Sequence, residues 1–144
     1  GRESIMDVRV NWIEERSFVG TAGSGHKIAF GAPGEGGTKP GPSPMELLLI
    51  GTGGCSAYDV VSILEKGREA VDGVEVALDA NRADTDPKVF TRIHMHFTVR
   101  GRGLTPARVE RAIALSVEKY CSASAMMAST ATLTHDFEII ETCA

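Results

Sequence analysis

Val8, Val10 and Trp12 alternate with Arg9 and Asn11 near the start of the chain, the period of a half-buried strand. Phe18-Val19 and the run His26 to Phe30 predict two further strands, with Gly20, Gly23 and Gly25 supplying turns, so the opening reads as an antiparallel meander. Gly31 to Pro42 is dominated by Gly and Pro and predicts a loop. Ser43-Pro44-Met45-Glu46 then marks a helix start. Ser43 suits the N-cap, Pro44 the first helical position, and Glu46 completes a capping box with Ser43. The helix is expected to run to about Lys66, where Gly67 stops it. Its apolar residues fall on nearly every face, which predicts a central, buried helix. Gly51, Gly53 and Gly54 each cost roughly 1 kcal/mol against Ala in a helix, and predict close approach by another backbone.

In the second half, Val74, Val76 and Leu78 alternate with polar or small residues, and Ile93, Met95, Phe97 and Val99 alternate with His94, His96, Thr98 and Arg100. Both runs predict strands, separated by a polar turn at Asn81 to Lys88. Thr105-Pro106 starts a second helix, with Val109, Ala112, Ile113, Val117 and Tyr120 on one face. Ser122 or Ser124 is expected to cap a short third helix through Ser129. Leu133, His135, Phe137 and Ile139 predict a closing strand. The order is that of an α+β protein: meander, long buried helix, two strands, two helices, strand.

A chain of 144 residues suits one domain with a hydrophobic core. Gly1-Arg2-Glu3-Ser4-Ile5 reads as an appended remnant ahead of a native start at Met6, leaving residues 6–144 as a single domain. The net charge of −4 (15 − 19) comes without a block of like charges, which argues against a nucleic-acid partner. The glycines, Tyr58 and Asp59 interrupt the apolar run Leu47 to Leu64, and no membrane span is expected from it. Three scattered cysteines predict a reducing cytoplasm rather than a disulfide scaffold.

In that compartment a Cys pair points to redox or metal chemistry. Cys55 closes the segment Gly51-Thr52-Gly53-Gly54, and Cys121 follows Lys119-Tyr120. Small residues around a sulfur leave room for a ligand or a second helix, and a dithiol would form if Cys55 and Cys121 meet. Cys143, beside the C-terminus, is read as incidental. His94 and His96 share a strand face, and are read as the polar side of a sheet rather than half a metal site. No metal and no cofactor are expected.

The run Ser-Pro-Met-Glu-Leu-Leu-Leu…Gly-Gly-Cys-Ser-Ala at 43–57, with Glu-Lys-Tyr-Cys at 118–121 and the element order, resembles the OsmC/Ohr family of thiol-dependent hydroperoxide reductases, most closely its YhfA-like branch. The resemblance covers nearly the whole chain from Met6. It implies an OsmC-like fold and an intertwined homodimer with central helices packed between wrapping sheets. It also implies a peroxidatic Cys55, oxidised to a sulfenic acid in oxidative stress defence, and a resolving Cys121. An Arg would hold the Cys55 thiolate, and Arg16 falls near the family's position for it; a Glu would orient that Arg. The peroxidase branches keep this Glu directly after the Pro. Here that place is Met45, and Glu46, one step on, points elsewhere and is well explained by the capping box, with a catalytic role kept as the weaker alternative.

The leading expectation is therefore a thiol peroxidase acting on a hydroperoxide with an apolar body, recycled by a dithiol reductant. The competing expectation is a non-enzymatic small-ligand-binding dimer of the same fold with vestigial thiols.

Overall fold

Ser43 and Glu46 close the capping box that opens the long helix α1 (Pro44–Lys66). The Glu46 amide donates to Ser43 Oγ (3.1 Å) and the Ser43 amide to Glu46 Oε1 (2.9 Å). This computed structural model describes residues 5–37 and 39–143, so most of the expected N-terminal remnant lies outside the described residues. The chain divides into two compact units, one through Leu48 and one from Leu49.

In the first unit, β1 (Val8–Glu14), β2 (Ser17–Ala22) and β3 (Lys27–Gly31) form an antiparallel sheet in the order β1-β2-β3, the expected meander. Phe18 opposes Phe30 across β2 and β3, and their rings stack at 5.7 Å. Gly31 has φ +148°, and a side chain there would run into the Arg16 carbonyl. β1 differs from the expected half-buried strand. Every residue of it is exposed, Trp12 at 67%, because the alternation supplies an apolar face that nothing within this unit covers.

The second unit is built on a sheet ordered β4-β5-β6, with β4 (Ala70–Arg82), β5 (Phe90–Arg102) and β6 (Thr132–Glu141). β5 runs antiparallel to β4 and parallel to β6. A parallel pair needs a crossover, and here it comprises α2 (Pro106–Leu115), a π-helical turn (Ser116–Tyr120) and α3 (Ser122–Met127). Ile93, Met95, Phe97 and Val99 of β5 are fully buried, as are Val60 of α1 and Val109, Ala112 and Ile113 of α2. Burial of each such larger side chain contributes about 1.5–3 kcal/mol.

The opposite face of β5 is polar, as expected. His94 bonds Thr134 Oγ1 (2.7 Å) and Asp136 (2.9 Å), while His96 bonds Asp136 (2.8 Å) and Glu138 (3.2 Å). Those bonds run along the parallel register, His94 opposite Thr134 and His96 opposite Asp136.

Three helical expectations need correction. α1 is not buried all round: Thr52, Ser56, Val60 and Leu64, one residue per turn, form a buried stripe with Gly53 beside it, whereas Ile50 and Tyr58 are exposed at 60% and 76%. A Cβ on Gly53 would lie 2.6 Å from a terminal methyl of Leu78, but Gly51 and Gly54 face open space, so no second backbone among the described residues crowds them. By length and composition α1 is also apolar enough to cross a bilayer, despite its glycines, Tyr58 and Asp59. A core helix meets the same measure, and the buried stripe packs within the protein.

The second helix does not keep its apolar face to Tyr120. At Ser116 it widens into a π turn, closed by the Cys121 amide donating to the Ser116 carbonyl (2.7 Å), and Tyr120 turns outward, 52% exposed. The third helix ends at Met127, and its N-cap is Cys121 rather than Ser122 or Ser124.

Candidate functional site

Cys55 lies on α1, three residues after the buried Thr52, and is half-buried; Cys121 is 2% exposed. Both are free thiols. The π turn and the short α3 meet at Cys121, which sets its sulfur against α1. The thiol reaches the Thr52 carbonyl (3.9 Å) and accepts from the Ser124 amide (3.3 Å). Ser124 Oγ is buried with no hydrogen-bond partner among the described residues. π-helical turns of this kind recur at functional sites.

The sulfurs of Cys55 and Cys121 and a carboxylate oxygen of Asp59 all lie within 4.8 Å of one another. Asp59 was not among the residues singled out from sequence. Its only signal there is its spacing: four residues after Cys55, it shares that residue's face of α1. Ser116 Oγ donates to Asp59 Oδ2 (2.9 Å), which leaves the buried Ser56 hydroxyl to donate to Ser116 Oγ (2.9 Å). This chain of hydroxyls fixes the carboxylate beside the thiols. Burial pushes the Cys121 thiol above its ordinary value; hydrogen bonds from Ser124 oppose this and the neighbouring Cys55 adds to it. Of the two residues, Cys55 is the more exposed.

The other expected residues fall in the first unit. Arg16 follows Glu15 in the β1–β2 turn, donates to the Glu15 carbonyl (3.2 Å), and lines a cleft of about 440 Å³ with Pro33, Gly34 and Glu35. Glu46 is held by Ser43, whose amide and hydroxyl lower its carboxyl below the ordinary value. Along α1, Glu46 and Cys55 are about two and a half turns apart and so on opposite faces. Cys143 is exposed. In the second unit, a groove of about 420 Å³ lies at the far end of α1, between Lys66, Arg68, Glu69, Arg108 and Arg111, about three turns from Cys55. Ile63, Leu64 and Ala112 complete its lining.

Comparison with known proteins places this geometry. The protein YhfA of Escherichia coli K12 is 47% identical over 135 residues, covering 94% of this chain and 98% of its own. A hypothetical protein of Aquifex aeolicus, 29% identical, superposes with a TM-score of 0.86 over 98% of this chain and all of its own. The organic hydroperoxide resistance protein OhrB of Bacillus subtilis shares the fold at 14% identity, with a TM-score of 0.66 over 94% of this chain and 98% of its own. The family of OsmC-like proteins matches residues 34–136. With two sheets, three α-helices and a thiol pair on that framework, the chain belongs to the OsmC-like family.

Proposed function

We propose that the protein is a thiol-dependent reductase of organic hydroperoxides. The Cys55 thiolate attacks the peroxide; the O–O bond breaks, an S–O bond forms, and the alkoxide leaves as the alcohol after taking a proton. Cys121 then attacks the sulfenic sulfur, forming the Cys55–Cys121 disulfide and releasing water. A dithiol reductant supplies two electrons and two protons to restore the thiols. The observation that carries this reading is a pair of reduced sulfurs within 4.8 Å, one half-buried and one 2% exposed. The accessible one suits the encounter with peroxide, the enclosed one the resolving step. Membership of a family with hydroperoxide resistance proteins of the same fold supports it.

The reading includes a second copy of the chain. Apolar residues left open on β1 and α1, and the room beside Gly51 and Gly54, support a homodimer, since extended exposed apolar surface marks an interface. Sedimentation at micromolar concentration is expected to give the dimer mass, and a monomer would remove that part. Three free cysteines support a reducing, cytoplasmic setting.

The test is turnover: with excess dithiol, the protein should consume an organic hydroperoxide faster than hydrogen peroxide, and Cys55→Ser should abolish it. Absence of turnover with either oxidant would sink the proposal. One observation favours the ligand-binding alternative. The Asp59 carboxylate lies within 4.8 Å of both sulfurs, a polar neighbour suited to holding a small ligand.

A further inference from the structure

The same carboxylate gives the cluster a second chemistry. Two thiols and a carboxylate within 4.8 Å of one another form a donor set that suits a cation. We propose that Cys55, Cys121 and Asp59 form a three-ligand site for a thiophilic divalent cation of the zinc type. This does not rest on the hydroperoxide reading, since it requires no oxidation of either thiol.

The geometry is close to that of a first shell. Three atoms no more than 4.8 Å apart share a point within about 2.8 Å of each, against zinc bonds of about 2.3 Å to sulfur and 2.0–2.2 Å to oxygen, so small side-chain rotations close the shell. The ligands come from two elements, α1 and the π turn–α3 junction. Soft sulfur with one carboxylate favours zinc or cobalt over calcium or magnesium, which take oxygen.

The outer shell is already in place. Ser116 donates to the Asp59 carboxylate (2.9 Å), Ser56 donates to Ser116 (2.9 Å), and the Ser124 amide donates to Cys121 Sγ (3.3 Å). Such partners orient metal ligands and tune their affinity. Three protein ligands leave a fourth tetrahedral corner for water or a small exogenous ligand, the arrangement of an open zinc site. His94 and His96 make no comparable site, because their ring nitrogens are already bonded to Thr134, Asp136 and Glu138.

The experiment is titration of the reduced, metal-free, full-length protein with cobalt(II), then zinc(II). Cobalt should bind once per chain with a thiolate-to-metal charge-transfer band and tetrahedral visible bands, and zinc should displace it. About two thiol protons should leave per metal. Cys121→Ser should weaken the charge-transfer band, and Asp59→Asn and Ser116→Ala should each reduce affinity by about 10–100-fold. Zinc-loaded protein should also resist formation of the Cys55–Cys121 disulfide. Failure to bind cobalt, binding without the charge-transfer band, or affinity unchanged in both Asp59→Asn and Ser116→Ala would overturn the site. Should Cys121→Ser fail to fold, the Asp59 and Ser116 variants decide the matter alone. Peroxide turnover without metal binding would remove this inference and leave the hydroperoxide reading standing; metal binding without turnover would do the reverse.

Discussion

The sulfurs of Cys55 and Cys121 lie within 4.8 Å of one another as free thiols, although β4, β5 and α2 separate them along the chain. Only the crossover from β5 to β6 brings them together, and the π turn at its centre sets where Cys121 points. The two residues differ in access, Cys55 half-buried and Cys121 buried, and on the proposed mechanism this difference sets their order of reaction.

If Cys55 meets the oxidant first, Cys121→Ser should leave that step intact and remove the second. Treated with one equivalent of an organic hydroperoxide, this variant should accumulate a sulfenic acid on Cys55, trapped by a carbon nucleophile and located by mass spectrometry. Cys55→Ser should leave Cys121 reduced under the same conditions. Trapping on Cys121 instead would reverse the assignment.

Asp59 should act as a brake on the thiol chemistry. Its carboxylate lies within 4.8 Å of both sulfurs and opposes a second negative charge beside it, so Asp59→Asn should raise the alkylation rate of Cys55 near neutral pH several-fold. A slower Asp59→Asn variant would mean that the carboxylate assists the thiol as a base.

Ser116→Ala should cost stability out of proportion to its size. Both Ser56 and Ser116 are fully buried, and losing the Ser116 hydroxyl strands that of Ser56. An unsatisfied buried hydroxyl costs about 1–3 kcal/mol, read as a lower urea midpoint. Changing both residues to Ala should cost less than the sum of the single changes, and an additive pair would contradict the coupling.

The His96 cluster on the outer face of β5 and β6 predicts a pH window. Hydrogen bonds to Asp136 and then Glu138 raise the imidazole above its ordinary 6.5, so its contribution is complete below that value and fades as pH rises through the folded-state pKa. Hydrogen bonds from His96 lower Asp136 from 3.8 and Glu138 from 4.5; they contribute above those values and fade as pH falls through their folded-state pKa values. Both conditions hold together between about pH 4.5 and 6.5. The difference in urea midpoint between wild type and His96→Gln should peak there and shrink on either side, and a difference that grows towards pH 9 would contradict the pairing. The groups are solvent-exposed, and salt should damp the effect.

Local chemistry made much of the fold legible. Ser43, Pro44 and Glu46 announce α1 because a capping box and a helix-opening proline are written within four residues. The alternation from Ile93 to Val99 announces β5 because one face is buried and the other carries His94 and His96. What escaped depends on contacts distant in the chain. Asp59 reads as an ordinary helical acid until Ser116 comes across to hold it. The π turn that places Cys121 carries no sequence mark comparable to a cap or a proline. The exposure of β1 and of much of α1 was hidden because periodicity states which face is apolar, not what covers it. Arg16 and Glu46 became candidates through resemblance, whereas the hydrogen bonds of Glu46 are those of a capping residue.

The central claim is that Cys55 and Cys121 act as one redox pair, and peptide mapping of reduced protein after one equivalent of an organic hydroperoxide tests it most directly. The account predicts rapid formation of a Cys55–Cys121 disulfide with Cys143 left free, reversed by a dithiol. Thiols at 55 and 121 that stay reduced through excess oxidant would contradict it.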